Sequence, residues 1–268
     1  MADRLCENGI KEAVCIHTNK IYDTCKDRDC IENTRVYLTN DSQAILDKSI
    51  NVKPKNAELL WAYIDVEDLP FNRGCYTVDV KFFYKITGDA FCGMSRPQEI
   101  CGLATYDKRV VLYGSEGNAK IYSSKTGLDC VDDQMMVKTN MPTAVVEAVD
   151  PILLDIDIVE NCCHCNPCGN LTEIPERICR CFCDRLVMDN EGRTLRATLG
   201  QFSMIRLERD TQLLIPSYDF CIPQKECVSS NDDKPCDLFR KIAFPIDEFF
   251  PPKSNIQVDT SNKNCNCK

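Results

Sequence analysis

The chain has 268 residues, 44% of them hydrophobic, and 20 cysteines, so it is long enough to build its own core without sulfur standing in for one. A formal charge of -9 at pH 7, with no run of lysine and arginine to reverse the sign locally, excludes a nucleic-acid surface. No stretch approaches the roughly eighteen consecutive apolar residues of a membrane span, and MADRLCENGIKEAVC has no apolar export core, so neither a membrane anchor nor a secretory leader is expected.

Residues 1–50 read as an N-terminal arm carrying Cys6, Cys15, Cys25 and Cys30. Ile10, Val14, His17 and Ile21 recur at helical spacing, while IHTNKIYDTC reads equally well as extended chain. A first β domain is expected over 51–150. From about Ala57, ELLWAYIDVEDL leads to a turn at Pro70 to Gly74. CYTVDVKFFYKI then sets Tyr76, Val78, Val80, Phe82, Tyr84 and Ile86 on one face and Thr77, Asp79, Lys81 and Lys85 on the other. Further strands are expected at Lys108 to Tyr113, Ala119 to Ser123, Gln134 to Lys138 and Thr143 to Val149, with turns at Gly114, Gly117 and Gly127. Short strands without helical crossovers predict a mainly β chain, an antiparallel sandwich or barrel.

Asp150-Pro151 marks a boundary to a second β domain, 151–252. It opens with ILLDIDIVE, where Ile152, Leu154, Ile156 and Ile158 alternate with other residues, and runs into the central cluster CCHCNPCGNLTEIPERICRCFC. After RLVMD and a turn at Asn190 to Gly192, TLRATLGQFSMIRLERDTQLLIP predicts two or three strands kinked at Gly200. Cys221, Cys227 and Cys236 fall in turn-rich sequence. Residues 253–268 form a polar tail, expected to be flexible, that carries Cys265 and Cys267.

The cluster from Cys162 to Cys183 holds seven of the 20 cysteines. ICRCFC reads as a strand with Cys179, Cys181 and Cys183 on one face. Residues two apart on a strand are separated by about 6.6 Å, too far for the roughly 3.5–4.5 Å between Cβ atoms that a disulfide requires. A vicinal Cys162–Cys163 bridge would be strained. These thiols therefore need partners on another element, another chain or a metal. Cys162, Cys165, Cys168, Cys179 and Cys181 with His164 contain zinc-like spacings, so zinc is the alternative cofactor to none at all. Complete paired knuckles are missing, however, and many cysteines would stay unexplained. Catalysis has little to draw on. Only His17 and His164 are available as bases, neither lies in a nucleophile motif, and Cys165-Asn-Pro-Cys168 lacks the strand-to-helix setting of a dithiol oxidoreductase. No catalytic residue is assigned, and the chain is expected not to be an enzyme.

Isolated cysteines such as Cys75, Cys92, Cys101 and Cys130 read as small core residues or internal bridges. Cys92 and Cys101 are close enough in sequence to close a loop, contributing on the order of 3 kcal/mol. Arm, cluster and tail, by contrast, place thiols where packing has no use for them. Cys6, Cys15, Cys25, Cys30, Cys162, Cys163, Cys165, Cys168, Cys179, Cys181, Cys183, Cys265 and Cys267 are therefore the candidates for disulfides between chains.

The leaderless acidic chain, IYDTCKDRDCIE, the CCHCNPC and CRCFC runs and QFSMIRLERDTQLLIPSYDFCIP together resemble the clostridial cysteine-rich spore-surface proteins of the type that self-assembles into the hexagonal basal layer of the exosporium. The resemblance implies synthesis in the mother-cell cytoplasm, whose lysis later exposes the thiols to oxidant, and a final location in the exosporium or coat. It also implies a homo-oligomer, a hexamer tiling into a two-dimensional lattice, with other spore-surface proteins as further candidate partners. The rival expectation is a zinc-binding or thiol redox-buffering protein built on the central cluster.

Overall fold

The computed structural model describes residues 15–93, 96–117, 119–121, 138–160, 174–188, 192–214 and 242–249. Its strands are β1 (Cys15–Leu38), β2 (Asn51–Asp68), β3 (Cys75–Phe91), β4 (Gln98–Tyr113), β5 (Lys120–Ile121), β6 (Lys138–Thr139), β7 (Thr143–Ala148), β8 (Ile152–Glu160) and β9 (Arg193–Leu214). Short helices α1 (Asn40–Leu46), α2 (Glu176–Cys179) and α3 (Ile246–Phe249) complete the described elements.

β3 forms as its alternation demands. Tyr76, Val78, Val80, Phe82, Tyr84 and Ile86 are all buried in one core cluster, and Phe82 stacks on Tyr84 and Tyr106 with ring centroids 6.1 and 6.4 Å apart. β2, β3 and β4 form an antiparallel meander that continues through β1 to β9, giving the order β2-β3-β4-β1-β9. On the far edge of β9, β7 pairs with Ser203 to Glu208 and β8 with Arg193 to Gly200. The sheet curls until it is nearly closed into a barrel. Leu59 N of β2 there donates to Asp150 Oδ1 between β7 and β8 at 2.9 Å. The predicted mainly β, antiparallel, barrel-like class is what the chain adopts. β5 and β6 pair separately; β5 falls inside the strand expected at Ala119 to Ser123, while β6 meets the one expected at Gln134 to Lys138 only at Lys138.

Three boundaries differ from the sequence reading. Residues 15–38 are no arm: β1 lies between β4 and β9, and its inward positions Cys25, Asp27, Asp29 and Ile31 are buried. The divisions after residues 50 and 150 do not separate units, because one sheet takes strands from all three segments. β9 runs unbroken through Gly200, which is held by Cys30 on one side and Ile152 on the other. β8 also carries a bulge between Leu153 and Asp155, so Leu153, not Leu154, joins Ile156 and Ile158 in the core.

α1 leaves the end of β1 with Thr39 as its N-cap, the Thr39 hydroxyl accepting from Ser42 N at 3.3 Å, and turns Leu46 into the core. At the other end of the barrel, Cys15 to Asn19 pair only with Asp210 to Leu214 among the described residues, a two-stranded ribbon in which Cys15 lies opposite Leu214.

Candidate cross-linking site

The segment CRCFC is not a strand. Pro175 opens α2, and Ile178 N, Cys179 N and Arg180 N donate back to Pro175 O, Pro175 O and Glu176 O at 2.8, 3.3 and 3.1 Å. The turn continues through Cys181 N to Ile178 O (3.0 Å) and Phe182 N to Cys179 O (3.2 Å). Helical winding puts Ile178 and Phe182, four residues apart, on one face. Both are buried on the outside of the barrel against Tyr37, Phe83 and Leu103, with Trp61 at the edge. Phe83 points away from the barrel interior, so α2 is what covers it.

The same winding turns Cys179, Cys181 and Cys183 outward. All three are exposed, free thiols. The platform beneath them is tied down on both sides. Asn40 N donates to Arg185 O at 3.0 Å, Val187 N to Leu38 O at 2.7 Å, and Thr39 bridges to Leu186. Asp184 accepts from Arg185 N at 2.7 Å, and this backbone hydrogen bond, followed by one from Asn40, holds its carboxyl below the usual range. Beside the turn lies an open cleft of about 520 Å³ lined by Ile174, Cys179, Phe182, Cys183, Leu186 and Met188. Three thiols thus stand on a rigid, partly apolar rim, and none of them packs into the core of its own chain. Cys15, opposite Leu214 in the β1–β9 ribbon, is a fourth exposed free thiol among the described residues.

Other sequence candidates fare differently. Cys25 and Cys30, expected to bridge chains, are disulfide-bonded within this one chain. They sit five residues apart on β1, a separation on the order of 16 Å, so they do not bond each other, and their sulfur partners lie outside the described residues. The arm that was to carry them outward is an internal strand.

Cys92 and Cys101 do not bridge one another; both are thiols. Hairpin register sets Cys101 opposite Thr87, five residues before Cys92 and again on the order of 16 Å away along the strand. Each thiol instead meets α1. Cys92 Sγ lies 3.4 Å from Ser49 Oγ and donates to Ile45 O at 3.8 Å, while Cys101 Sγ accepts from Ser42 Oγ at 3.9 Å. Cys75 is a half-buried thiol at the start of β3. Cys6, Cys162, Cys163, His164, Cys165, Cys168, Cys265 and Cys267 lie outside the described residues, as do Cys130, Cys221, Cys227 and Cys236. Of the six candidate zinc ligands only Cys179 and Cys181 are described, and among the described residues no group of three or more His, Cys, Asp or Glu is placed to hold a metal ion.

Comparison with known protein families, curated proteins and solved structures finds no match to this chain.

Proposed function

We propose that this chain is a structural subunit that assembles with copies of itself and is locked by disulfides between chains into a protective layer, the exosporium or coat of a bacterial spore. The observation that carries the reading is the turn from Cys179 to Cys183, where three exposed thiols stand on a platform fixed by Ile178 and Phe182. Burial of those two side chains holds the turn, so the exposed sulfurs are not needed to fix it and remain available to another chain. The barrel core under them is aromatic and aliphatic, which supports a subunit that folds first and is cross-linked afterwards. Assignment to a spore surface, to a hexameric lattice and to other spore-surface partners rests on the sequence resemblance.

The test is electrophoresis of native material with and without reductant, beside metal analysis of the purified chain and electron microscopy of its assemblies. Large species that collapse with reductant to a 30.4 kDa band, and ordered sheets in the microscope, support the layer. A monomer with stoichiometric zinc rejects it in favour of a metal-binding or redox role.

A further inference from the structure

The seam between β1 and β4 is the weakest in the sheet. Whereas β3 pairs with β4 from Cys75↔Tyr113 to Ala90↔Gln98, the β1–β4 ladder consists of Tyr37↔Leu103 and Leu38↔Gly102. Beyond those pairs, side chains take over. Thr34 Oγ1 donates to Thr105 O at 3.3 Å and Tyr106 Oη to Asp29 Oδ1 at 3.2 Å, and Tyr113 N donates to Asp23 Oδ2 at 3.1 Å. Between them Lys108 of β4 reaches into the barrel and meets both Asp27 and Asp29 of β1, at 2.5 Å from Asp29 Oδ2.

These three side chains are 4%, 7% and 3% exposed in the order Lys108, Asp27, Asp29. Two carboxyl groups face one ammonium, so the charges in the cluster cancel only when one carboxyl, Asp29 in the step below, carries a proton. A buried ion pair is already a poor source of stability, because desolvation offsets the attraction. Such an arrangement is, however, what amide formation needs: an amine held against a carboxyl group, a second carboxyl group to move protons, and no bulk water.

We propose that Lys108 and Asp29 condense into an isopeptide bond that staples β1 to β4 from inside the barrel, with Asp27 relaying the protons. Lys108 Nζ gives a proton to Asp27 and its lone pair attacks Asp29 Cγ, the carbonyl pair moving onto an Asp29 oxygen. Asp27 then protonates the departing hydroxyl, the C–O bond breaks, and water leaves. The new amide nitrogen sheds its surplus proton to Asp27. One ammonium, one carboxylic acid and one carboxylate become one amide, one water and a neutral Asp27, so the interior loses both of its charges and no oxidant or nucleotide is consumed. Fixing the partners in contact supplies an effective concentration of roughly 10⁵ M or more in well-oriented cases.

The surroundings suit the step. Burial, ahead of the attraction of Lys108, sets the Asp29 carboxyl up to about 6, which favours the neutral acid, the better electrophile. Burial also raises the hydroxyls of Tyr106 and Tyr84, keeping both protonated, and Tyr106 already donates to the oxygen on which charge develops.

Reduced, folded protein is analysed by intact mass spectrometry and by tryptic mapping. The expected mass is lower than that of the sequence by one water, with no tryptic cleavage after Lys108 and the peptide holding Asp29 covalently joined to the peptide holding Lys108. Lys108→Arg keeps the cation without an acylatable amine and is expected at full mass, while Asp27→Asn, which keeps Lys108 and Asp29, is expected to slow the loss of water at least tenfold. Full mass in the folded parent chain, with cleavage after Lys108, overturns the proposal whether or not either variant folds. Reductant leaves an amide intact, so failure here is distinguishable from failure of the disulfide-linked layer.

Discussion

Replacing Cys179, Cys181 and Cys183 together by serine separates cross-linking from folding. The three side chains are exposed, and the one hydrogen bond any of them makes to the backbone among the described residues, Cys181 Sγ to Arg177 O at 3.5 Å, is one that a serine hydroxyl can also make. Ile178 and Phe182 stay in place against Tyr37, Phe83 and Leu103. Exposed substitutions of this kind move stability by about 0.5 kcal/mol or less, so urea unfolding of the variant in reductant should superimpose on that of the parent. Ile178→Ala supplies the contrast. It truncates a side chain that is 1% exposed, at a cost of about 2–4 kcal/mol. After oxidation and electrophoresis without reductant, the serine variant should show fewer high-mass species than the parent, while Ile178→Ala should keep its cross-linking thiols and lose urea resistance. A serine variant that unfolds early, or one that cross-links as fully as the parent, refutes this division of labour.

The core yields further predictions. Tyr84 is fully buried and its hydroxyl has no hydrogen-bond partner among the described residues, so Tyr84→Phe, which keeps the ring on Phe82, should raise stability by about 1 kcal/mol in urea unfolding. Gly102 sits where β1 and β4 pair, and an added Cβ would come within 2.6 Å of Tyr37 O; Gly102→Ala should therefore cost about 1–3 kcal/mol by the same assay. Because burial sets the folded-state Asp29 carboxyl at about 6, above its ordinary 3.8, the acid is neutral below that pH and ionises above it. With Asp27, Lys108, Tyr84 and Tyr106 facing it, chain isolated unfolded at full mass, before the amide has formed, and then refolded should lose water faster at about pH 5 than at about pH 8 in a mass-spectrometric time course; equal rates would remove the neutral acid from the mechanism.

Strand content was legible where side chains alternate cleanly, as in Tyr76 to Ile86, whose inward residues form the core. β1 was hidden by its chemistry. Asp27 and Asp29 occupy core positions between Cys25 and Ile31, so the period of two was present but the residues at it were charged, and the segment read as a loose arm. Lys108 sits likewise on the inward face of β4, with Tyr106 and Val110. Charged residues recurring at core positions of neighbouring strands were the missed signal for the cluster. The strand expected from about Ala57 begins at Asn51, and β2 accommodates Pro54 because it is an edge strand with a bulge at Pro54/Asn56, where proline is tolerated. Gly200 suggested a break that pairing on both sides of β9 overrides. At the thiol rim, alternating cysteines imitated a strand, whereas Pro175 and the four-residue spacing of Ile178 and Phe182 were the signs of a helical turn.

Mixing isotopically light and heavy chains in reductant, oxidising them into assemblies and mapping disulfide-linked peptides tests most directly whether sulfur joins one copy to another. The account predicts light–heavy pairs that include the peptide carrying Cys179, Cys181 and Cys183, alongside same-label pairs for Cys25 and Cys30. Same-label pairs alone, with the Cys179 to Cys183 peptide bonded only inside its own chain, would contradict it.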